Sequence, residues 1–536
     1  MAWLPATRYA SPMRNARVRL AVLIPALVSV LLSALAATAP AAQAAAEDGA
    51  RPVDVIADGA WSWYMDPRVL TDDSATYLGS VSSDGDVQVT RVSHVNAALT
   101  HTVLHRALDV DDHAAPSLLK TPDGRLAAFY SGHNSSPVFY RVATTPGSIS
   151  SFAAERRLTG SGLEDADATY TQIMYLRGEV RPYYLITRIG GSQTYHLTTS
   201  KDLLTWSPAI QIIGDPNPTD TINHPYAKFA NTDWRTIHIA VSEGLRTPTN
   251  SLFHVVLRSG VFYRSDGTPI RSLQEVASQK RPIMPAEGTM IYDGKGPSGR
   301  VRVYDLALTP SGVPTVAVNT TAPGNYAYQW IQRQGSIWAR SRMLQTTAYP
   351  AGITLDHADP SRVFLIADHT GQTEVEQWTT PDRGQTWTST PVTADSVQPH
   401  RTPATPHRNP TPRAQALWLQ GEYTTWWDFH TGIQMLTDGP APVTVSHVRS
   451  GSWSSGATLW TTVFRGRGGA GAVGATVIAK VTLPGQSAQE VARAVTDYRG
   501  KAPLRLGPLP SKTRVQVVVI AKNGWGYAAT KTVTVP

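Results

Sequence analysis

The hydrophobic and polar positions beyond about residue 50 follow the short period of β-strands, and long helical patterns are nearly absent. Segments with alternating or β-branched residues recur between turns rich in Gly, Pro, Asn and Asp, for example at 75–81, 180–188 and 362–367. Many short strands at regular spacing are typical of β-sandwiches, barrels and propellers. The 15 tryptophans and 41 glycines fit the packing of propeller blades. The pattern therefore predicts an all-β protein.

One turn sequence favours the propeller among these folds. Thr380–Trp387 reads TPDRGQTW, which closely matches the S/T-x-D-x-G-x-T-W pattern of the Asp box in sialidase-type propellers. Ser200–Trp206 is a degenerate copy that is one residue shorter. In such turns the Asp caps a hairpin and the Trp packs between blades, so we expect both to be structural. Seven blades between residues 50 and 437 would each take roughly 55 residues, which suits a four-stranded blade.

The composition changes near residue 438, after a linker-like stretch that begins at Thr437. Five or more strand patterns follow within about 100 residues, which is typical of a small β-sandwich. They lie at 443–448, 458–464, 475–483, 514–521 and 531–535. We therefore predict a seven-bladed β-propeller catalytic domain over 50–437 and an accessory β-sandwich over 441–536. The accessory domain would stabilise the propeller or contact polysaccharide.

Residues 1–44 predict a secretory signal peptide. Four arginines precede an apolar run, and the run ends at Ala42-Gln43-Ala44. A positive flank, an apolar stretch and a small-residue exit are typical of a cleaved signal. The alternative is a membrane anchor, because the run is nearly long enough to span a bilayer. No second such segment follows, so we expect a soluble, secreted, extracellular protein with no membrane partner after cleavage.

The composition excludes several kinds of chemistry. The chain has no cysteine, which excludes disulfides, zinc–thiolate sites and a cysteine nucleophile. The net charge is +8, but four arginines of the signal segment contribute to it, and the remaining excess suits an acidic substrate. There is no Gly-rich phosphate loop and no RNA-binding aromatic signature. We expect no cofactor, no nucleic-acid partner and a monomer.

Two histidines are predicted to meet at one end of a β-hairpin. Asp111–Pro116 reads DDHAAP and Ser131–Asn134 reads SGHN, and a Pro-Asp-Gly turn lies between the two strands that separate them. That turn is a strong hairpin signal, so His113 and His133 come to the same end of one sheet. Histidine suits proton transfer near neutral pH. The alternative is that each histidine is a hydrogen-bonded structural residue.

The next strands repeat this geometry. Tyr170 lies at the start of one strand, Arg188 near the end of the next, and Tyr226 opens another. Propeller active sites gather at one end of the central channel, where successive blades each contribute one or two side chains. We therefore predict that these three residues join His113 and His133 in one site. The alternatives are blade packing for the tyrosines and a surface ion pair for Arg188.

Several motifs in order along the chain carry a family resemblance. They are Trp61–Arg68, the DDHAAP and SGHN elements, the Thr169-Tyr170 and Thr187-Arg188 pairs, Pro225-Tyr226, Asp356–Val363, the Asp box and Leu417–Tyr423. Over roughly residues 55–436 the chain resembles the BNR-repeat propeller family, which includes ulvan lyases and related lyases that cleave rhamnose–glucuronate linkages. The resemblance implies a seven-bladed propeller that performs β-elimination on a uronic acid.

The resemblance also implies roles for individual residues. His113 and His133 resemble the family's two active-site histidines, Tyr170 its proton-transferring tyrosine, Arg188 its carboxylate-binding arginine and Tyr226 its second tyrosine. Asn134 and His224 are the further substrate-binding candidates. Some ulvan lyases hold a structural metal with Cys and His after the second tyrosine. This chain has Ser242–Arg246 and only His254 there, so we expect that metal to be missing or altered and assign no metal ligands.

The chemistry of uronate elimination fits these residue types. Negative charge builds on the sugar carboxylate, and a guanidinium such as that of Arg188 stabilises it. Neutral His113 or ionised Tyr170 could remove the proton, and a phenol could protonate the leaving oxygen. A phenolate would need its pKa lowered by a nearby cation, which Arg188 could supply.

Two other classes compete with the lyase. One is a propeller glycoside hydrolase on the same kind of glycan, either an exo-α-L-rhamnosidase or sialidase-like. The other is a non-catalytic sugar-binding propeller. The expected partner is an acidic polysaccharide that contains uronic acid, such as ulvan or the rhamnose-capped glucuronate side chains of arabinogalactans.

Overall fold

A computed structural model describes residues 50–535 except for 95–96, 221–222, 232, 246–249, 296–298, 323–324, 347–351, 370, 408–413, 438–442, 466–475, 484–485, 498–500 and 521–529. The predicted signal peptide (1–44), most of the linker and Arg246 lie outside the described residues. Within the described residues, no helix combines the length and the apolar character that a membrane crossing requires.

Antiparallel strands dominate the described part of the chain, which confirms a nearly all-β protein. The first strand is β1 (Arg51–Ile56). Four sheets follow. Sheet 1 contains β2 (Val69–Thr71), β3 (Ala75–Val81), β4 (Val87–Ser93) and β5 (Leu99–His105); sheet 2 contains β6 (Ser117–Lys120), β7 (Leu126–Tyr130), β8 (Phe139–Val142) and β9 (Arg156–Arg157); sheet 3 contains β10 (Ala168–Tyr175), β11 (Tyr183–Ile189), β12 (Thr194–Ser200) and β13 (Ile210–Gln211); sheet 4 contains β14 (Tyr226–Ala230), β15 (Thr236–Ser242), β16 (Leu252–Arg258), β17 (Val261–Tyr263), β18 (Pro269–Ser272) and β19 (Thr289–Tyr292).

The remaining strands form five further sheets. Sheet 5 contains β20 (Arg300–Leu308), β21 (Pro314–Ala322), β22 (Asn325–Gln334) and β23 (Ile337–Thr346); sheet 6 contains β24 (Ile353–Leu355), β25 (Arg362–His369), β26 (Gln372–Thr379) and β27 (Thr388–Pro391); sheet 7 contains β28 (His400–Ala404), β29 (Ala414–Thr425) and β30 (Asp428–Thr437). The last strands are β31 (Val443–Ser452), β32 (Gly456–Arg465), β33 (Thr476–Thr482), β34 (Gln489–Val495), β35 (Lys501–Leu506), β36 (Arg514–Ile520) and β37 (Thr530–Thr534). Of these, β31, β32 and β35 form sheet 8 and the others form sheet 9.

Helices are short in the described residues. The α-helix α1 (Leu273–Gln279) follows β18, and a capping box between Ser272 and Glu275 begins it. Three 3₁₀ helices are present at Asp112–Ala114, Ile149–Ser151 and Pro285–Glu287.

Strand β1 belongs to sheet 7, whose other strands come from the end of the 51–437 segment. Sheet 7 has the order β1-β30-β29-β28, and Arg51 pairs with Thr437 while Ile56 pairs with Ile433. The Nε2 atom of Gln434 also donates to Oδ1 of Asp54 at 2.8 Å. This sheet therefore needs both ends of the 51–437 segment.

The pattern of buried and exposed residues differs between strand β3 of sheet 1 and strand β35 of sheet 8. Strand β3 is buried at every position, which is expected when both faces of a sheet are covered. Strand β35 instead alternates exposed and buried residues, as a strand with one solvated face does.

Neighbouring sheets share buried cores. One core joins sheets 7, 1 and 2, a second joins sheets 2 and 3, a third joins sheets 3, 4 and 5, and a fourth joins sheets 5, 6 and 7. Sheets 8 and 9 share a separate core of their own, which includes Leu459, Val477 and Val517. The blade count, the sandwich and the domain limits of 50–437 and 441–536 stay predictions.

The two Asp-box turns are structural, as predicted. Asp382 accepts hydrogen bonds from the backbone N (2.8 Å) and Oγ1 (2.6 Å) of Thr386, between β26 and β27. Nε1 of Trp387 donates to Oγ of Ser341 in sheet 5 at 2.8 Å, so this tryptophan lies between two sheets. In the shorter copy, Asp202 accepts from the backbone N of Leu204 and Thr205.

A buried ionic cluster brings five sheets together. Lys228 of sheet 4 is 1% exposed and pairs with Asp66, which precedes β2. His357, after β24, lies 3.0 Å from Asp305 of β20. The ring of His407, after β28, stacks on that of His357 with centroids 3.7 Å apart. We call these five residues the central ionic cluster.

Candidate active site

The predicted hairpin brings the two histidines together. Strands β6 and β7 pair with Ser117 opposite Phe129, so the residue before β6 and the residue after β7 share one end of the sheet. His113 lies in the 3₁₀ turn before β6. The side chain of Asp111 caps that turn by accepting a hydrogen bond from the backbone N of His113. The rings of His113 and His133 stack with centroids 3.9 Å apart and an 11° interplanar angle.

Asp111 holds both imidazole rings. Its Oδ1 accepts from Nδ1 of His113 at 2.5 Å, and its Oδ2 accepts from Nδ1 of His133 at 2.8 Å. The opposite nitrogen of His113, Nε2, is thereby turned toward Tyr170, whose hydroxyl oxygen lies 2.9 Å away. One carboxylate therefore orients two rings, and one of them contacts the tyrosine.

Tyr170 has a left-handed backbone, with φ of +54°. It lies in an irregularity of the β10–β11 pairing, where the register shifts between Thr169 and Gln172. Such a conformation costs a bulky residue about 1–3 kcal/mol, and strained residues of this kind cluster at functional sites. A bulge of this kind re-aims a side chain, and here it directs the phenol toward His113.

Asn134 is held by the same irregularity. Its backbone N donates to Oγ1 of Thr169 at 2.8 Å, and its Oδ1 accepts from that hydroxyl at 2.8 Å. Its backbone is also left-handed, with φ of +54°. The side chain is partly exposed beside His133, so it borders the cluster while its carbonyl oxygen fixes the loop.

Arg188 lies between two tyrosine rings. Its guanidinium carbon is 4.9 Å from the ring centroid of Tyr170 and 4.7 Å from that of Tyr226. The rings of Tyr170 and Tyr226 also contact each other edge-on, with centroids 5.8 Å apart. Only 3% of Arg188 is exposed, and its Nε and Nη1 atoms have neither solvent contact nor a hydrogen-bond partner among the described residues. In this conformation, Arg188 acts on the two phenols rather than facing the surface.

Neighbouring charges set the protonation states. Burial disfavours the charged form of His113, but the carboxylates of Asp112 and Asp111 outweigh it and raise the pKa of His113 to about 10. Burial also opposes ionisation of Tyr226, but the adjacent Arg188 lowers its pKa below the usual value. Burial and the neighbouring Tyr226 raise the pKa of Tyr170. His113 is therefore an imidazolium at neutral pH, Tyr170 a neutral donor, and Tyr226 the phenol that loses a proton most readily.

These protonation states bear on which residue acts as the base, a choice that the sequence left open. The sequence suggested neutral His113 or ionised Tyr170, with Arg188 lowering the pKa of Tyr170. The electrostatics favour neither state, because Asp111 and Asp112 keep His113 charged and burial keeps Tyr170 neutral. Arg188 acts to lower the pKa of both phenols, but burial outweighs it at Tyr170, so only the pKa of Tyr226 falls below its usual value.

The open side of the site differs from its buried side. The side chain of His133 is 24% exposed and Tyr226 is partly exposed, whereas Tyr170 and Arg188 are each 3% exposed. A ligand can therefore reach His133, Tyr226 and Asn134 first.

His224 is not joined to this cluster by any contact of the described residues. Its Nδ1 lies 2.7 Å from Oδ2 of Asp215, and it precedes Tyr226 by two positions. Its role in substrate binding stays a prediction.

Several residues of the site had no role in the sequence analysis. Tyr64 packs its ring against those of Tyr170 and Tyr226. Tyr423 donates its hydroxyl to Oδ2 of Asp112 at 2.5 Å, and the backbone N of Asp112 donates to the carbonyl of Trp426 at 2.8 Å. A sequence signal existed for Asp111 and Asp112, which flank the histidine in DDH. The contact with Tyr423 spans 311 residues, and no local pattern indicates it.

Asp111, His113 and His133 are also a possible set of metal ligands. Each offers a donor atom, and these atoms lie within 4.8 Å of one another, the one such group among the described residues. The same Nδ1 and carboxylate atoms already hydrogen-bond to one another, so a bound cation would replace those bonds. His254, near the region expected to lack the structural metal, contacts His238 at 3.0 Å and Ser265 at 2.8 Å.

A cavity of about 430 Å³ lies away from this cluster. It is lined by the far ends of the strands that carry the site, including Lys120 of β6, Tyr175 of β10 and Phe229 of β14. His113, Tyr170 and Tyr226 lie at or before the opposite ends of these strands. The paired phenols and the imidazolium do not border it.

A sequence model described as "BNR repeat-containing family member" matches residues 71–346, just over half of the chain. The chain belongs to this family. Among solved structures, this BNR-repeat protein is similar to a PL25 ulvan lyase bound to -[GlcA(1-4)Rha3S]-, with 15% identity, 73% of this chain and 96% of that chain covered, and a TM-score of 0.57. The polysaccharide lyase Uly1 also matches, with 13% identity, 72% and 97% coverage, and a TM-score of 0.49. At such identities the similarity supports the fold alone. No curated protein sequence matches the chain.

Proposed function

We propose that this BNR-repeat protein is a secreted polysaccharide lyase that cleaves rhamnose–glucuronate-type linkages by β-elimination. The observation that carries the proposal is the pairing of Tyr170 and Tyr226. One phenol is a neutral donor beside an imidazolium, and the other has its pKa lowered by Arg188. An acid and a base side by side are what an elimination needs.

Tyr226 acts as the base in this mechanism. Its phenolate takes the proton from C5 of the uronate, and the C–H electrons form the C4–C5 double bond while the C4–O4 bond breaks. Tyr170 protonates the departing O4, and His113, hydrogen-bonded to its oxygen, stabilises the phenolate that results. Because the two phenol rings lie side by side with centroids 5.8 Å apart, we propose that both act on the same side of the sugar ring, which is a syn elimination.

The positive charges of the site favour a uronate. Charge builds on the sugar carboxylate as the C5 proton leaves, and fixed cations stabilise that charge in a partly dry site. His113 and Arg188 are both buried and charged, within the cluster that His133 and Asn134 border. An acidic polysaccharide, rather than a neutral one, is the substrate class that fits.

The proposed architecture places this site at one mouth of a seven-bladed propeller. We take sheets 1 to 7 as the blades, because each shares a core with the next and sheet 7 shares one with sheet 1. We take sheets 8 and 9 as an accessory β-sandwich, because they have their own core. Secretion rests on the signal-peptide pattern of residues 1–44.

The hydrolase alternatives lack support at this site. Glycoside hydrolysis usually needs two carboxyl groups on either side of the bond that breaks. Asp111 and Asp112 are buried, and they hold His113, His133 and Tyr423. A sialidase-like site would need three arginines on the substrate carboxylate; the described residues place Arg188 against the two phenols and Arg401 over the ring of Tyr423.

The deciding experiment distinguishes elimination from hydrolysis. The mature protein is incubated with ulvan, a rhamnose-capped arabinogalactan and a neutral polysaccharide as the control. We expect the ultraviolet absorbance of an unsaturated uronate to rise together with new reducing ends on an acidic glycan. Reducing ends without that absorbance would identify a hydrolase, and sugar binding without either product would identify a binding protein.

A further inference from the structure

The hairpin of β29 and β30 extends beyond its neighbours in sheet 7. The residue of β29 nearest the turn that still pairs with β28 is Gln420. The residue of β30 nearest the turn that still pairs with β1 is Ile433. The two strands continue to pair with each other up to Thr425 and Asp428. A two-stranded ribbon therefore projects past the sheet, and its two-residue tip is Trp426-Trp427.

The tip has an unusual composition for a turn. Two-residue hairpin loops favour Asn, Asp and Gly, because these residues accept the turn's backbone conformation easily. Here both positions are tryptophan, and the side chains are 36% and 53% exposed. Tryptophan at both positions goes against the residue preferences of such turns and exposes two large apolar rings. This indicates a role other than folding.

The ribbon is fixed against the candidate active site. The carbonyl of Trp426 accepts from the backbone N of Asp112 at 2.8 Å, and Tyr423 donates to the Asp112 carboxylate. The Trp426 ring meets the rings of His113 and His133 edge-on, with centroids 6.5 and 6.3 Å apart. These bonds hold the tip beside the partly exposed face of the cluster.

The two indole rings form a corner. Their centroids are 4.3 Å apart and their planes meet at 88°. The ring of Trp427, the more exposed of the two, therefore packs against that of Trp426. Trp426 is positioned by its backbone hydrogen bond with Asp112 and by its ring contacts with His113 and His133. A rigid aromatic surface binds a flat apolar partner at little cost in conformational entropy.

We propose that the Trp426-Trp427 tip is a sugar-stacking subsite that binds the neutral deoxy-sugar ring next to the uronate. A pyranose presents C–H groups on its faces, and these pack against an indole ring. A 6-deoxy sugar such as rhamnose also carries a methyl group in place of a hydroxymethyl group, so its surface is more apolar. The cationic cluster takes the acidic ring and the tryptophans take its neutral neighbour. This inference rests on the proposed function, whose alternating acidic and neutral sugars it uses.

The test compares Trp427→Ala with the wild-type protein on a rhamnose-containing polyuronate and on a glucuronate polymer without deoxy sugar. We expect the KM of Trp427→Ala to rise roughly tenfold on the first substrate, with kcat nearly unchanged. The change on the second substrate should be smaller, and Trp427→Phe should restore most of the affinity. Trp460→Ala is the matched control, because Trp460 is 48% exposed on sheet 8, outside the cluster.

The outcomes separate the subsite from the proposed function. An active wild-type protein and an unchanged KM in Trp427→Ala would overturn the subsite and leave the lyase intact. If the wild-type protein eliminates nothing, binding of the same two polymers is measured by isothermal titration calorimetry. The subsite is then overturned if Trp427→Ala binds as tightly as the wild type, or if the wild type does not bind at all. Weaker binding by Trp427→Ala supports it.

Discussion

The Nε2 atom of His113 lies 2.9 Å from the hydroxyl oxygen of Tyr170, 57 residues further along the chain. Since Asp111 and Asp112 keep His113 protonated, its Nε2–H donates to that oxygen. The hydrogen of the Tyr170 hydroxyl is then free to bond Tyr226 or the leaving oxygen of a substrate. His113 thus donates in two directions, to the buried carboxylates through Nδ1 and to Tyr170 through Nε2, and links them toward the open side of the site.

Removing either phenolic hydroxyl should abolish most of the activity. Tyr170→Phe removes the proposed acid and Tyr226→Phe the proposed base, and each change should lower kcat by about 10²- to 10⁴-fold. The rate of ultraviolet absorbance increase on the active polysaccharide measures this. Tyr183→Phe is the control, because Tyr183 lies at the far end of the strand that carries Arg188. Full activity in Tyr226→Phe would refute its assignment as the base.

Replacing Arg188 should shift the pH profile of the reaction. Activity should rise with pH as Tyr226 loses its proton and fall as His113 loses its own, near its pKa of about 10. Arg188→Met removes the cation that lowers the Tyr226 pKa, so the rising limb should move to higher pH. Arg258→Met is the matched control, since Arg258 lies over the ring of Tyr263 at a similar distance, 4.9 Å, outside the cluster. An unmoved rising limb with lower kcat would indicate that Arg188 acts by another route.

Asp111→Asn should make the protein less stable at neutral pH and change how stability depends on pH. The pKa of His113 is raised in the folded state, so its charge stabilises the fold fully below about pH 6.5, and this contribution disappears as the pH rises through about 10. Without the Asp111 charge, the folded-state pKa of His113 should fall, so the loss should be smaller and should be complete at lower pH. Thermal unfolding of both proteins between pH 6 and 11 measures the difference. Parallel curves would show that Asp111 does not set the His113 pKa.

Lys228→Met should destabilise the fold without altering the chemistry of the site. The substitution breaks the buried pair of Lys228 with Asp66, which typically costs about 3–5 kcal/mol, and leaves Arg68 as the remaining buried cation bonded to Asp66. Lys120→Met is the control, because the Lys120–Asp72 pair is partly exposed and worth about 1 kcal/mol or less. Denaturant unfolding measures both. Equal losses in the two variants would contradict a special role for the cluster.

The local parts of the site could be predicted from the sequence. The Pro-Asp-Gly turn sets the pairing of β6 and β7, and that pairing alone brings His113 and His133 to one end. Tyr170, Arg188 and Tyr226 then follow at corresponding strand ends in the next two sheets. Each step depends on period and turn chemistry, which the sequence records directly.

The protonation states and the distant contacts could not be predicted in this way. The contacts of Tyr170 with His113 and Arg188 depend on its left-handed backbone, and no residue preference indicates that conformation for a tyrosine. The charge of His113 depends on the short contact with Asp111. The position of Trp426 depends on sheet 7, whose strands β29 and β30 come much later in the chain. Such features follow from three-dimensional packing rather than from neighbours in sequence.

The pairing of β1 with β30 has a consequence for how the chain is made. Asp54 and Gln434 are 380 residues apart, so at ordinary translation speeds roughly 20 to 80 s separate their synthesis. During that time the N-terminal strand has no edge to join, and the tryptophan hairpin that borders the site does not yet exist. A chain interrupted after residue 226 and before residue 428 would therefore carry the histidines, the phenols and the guanidinium, yet lack the strand β30 that pairs with β1 in sheet 7.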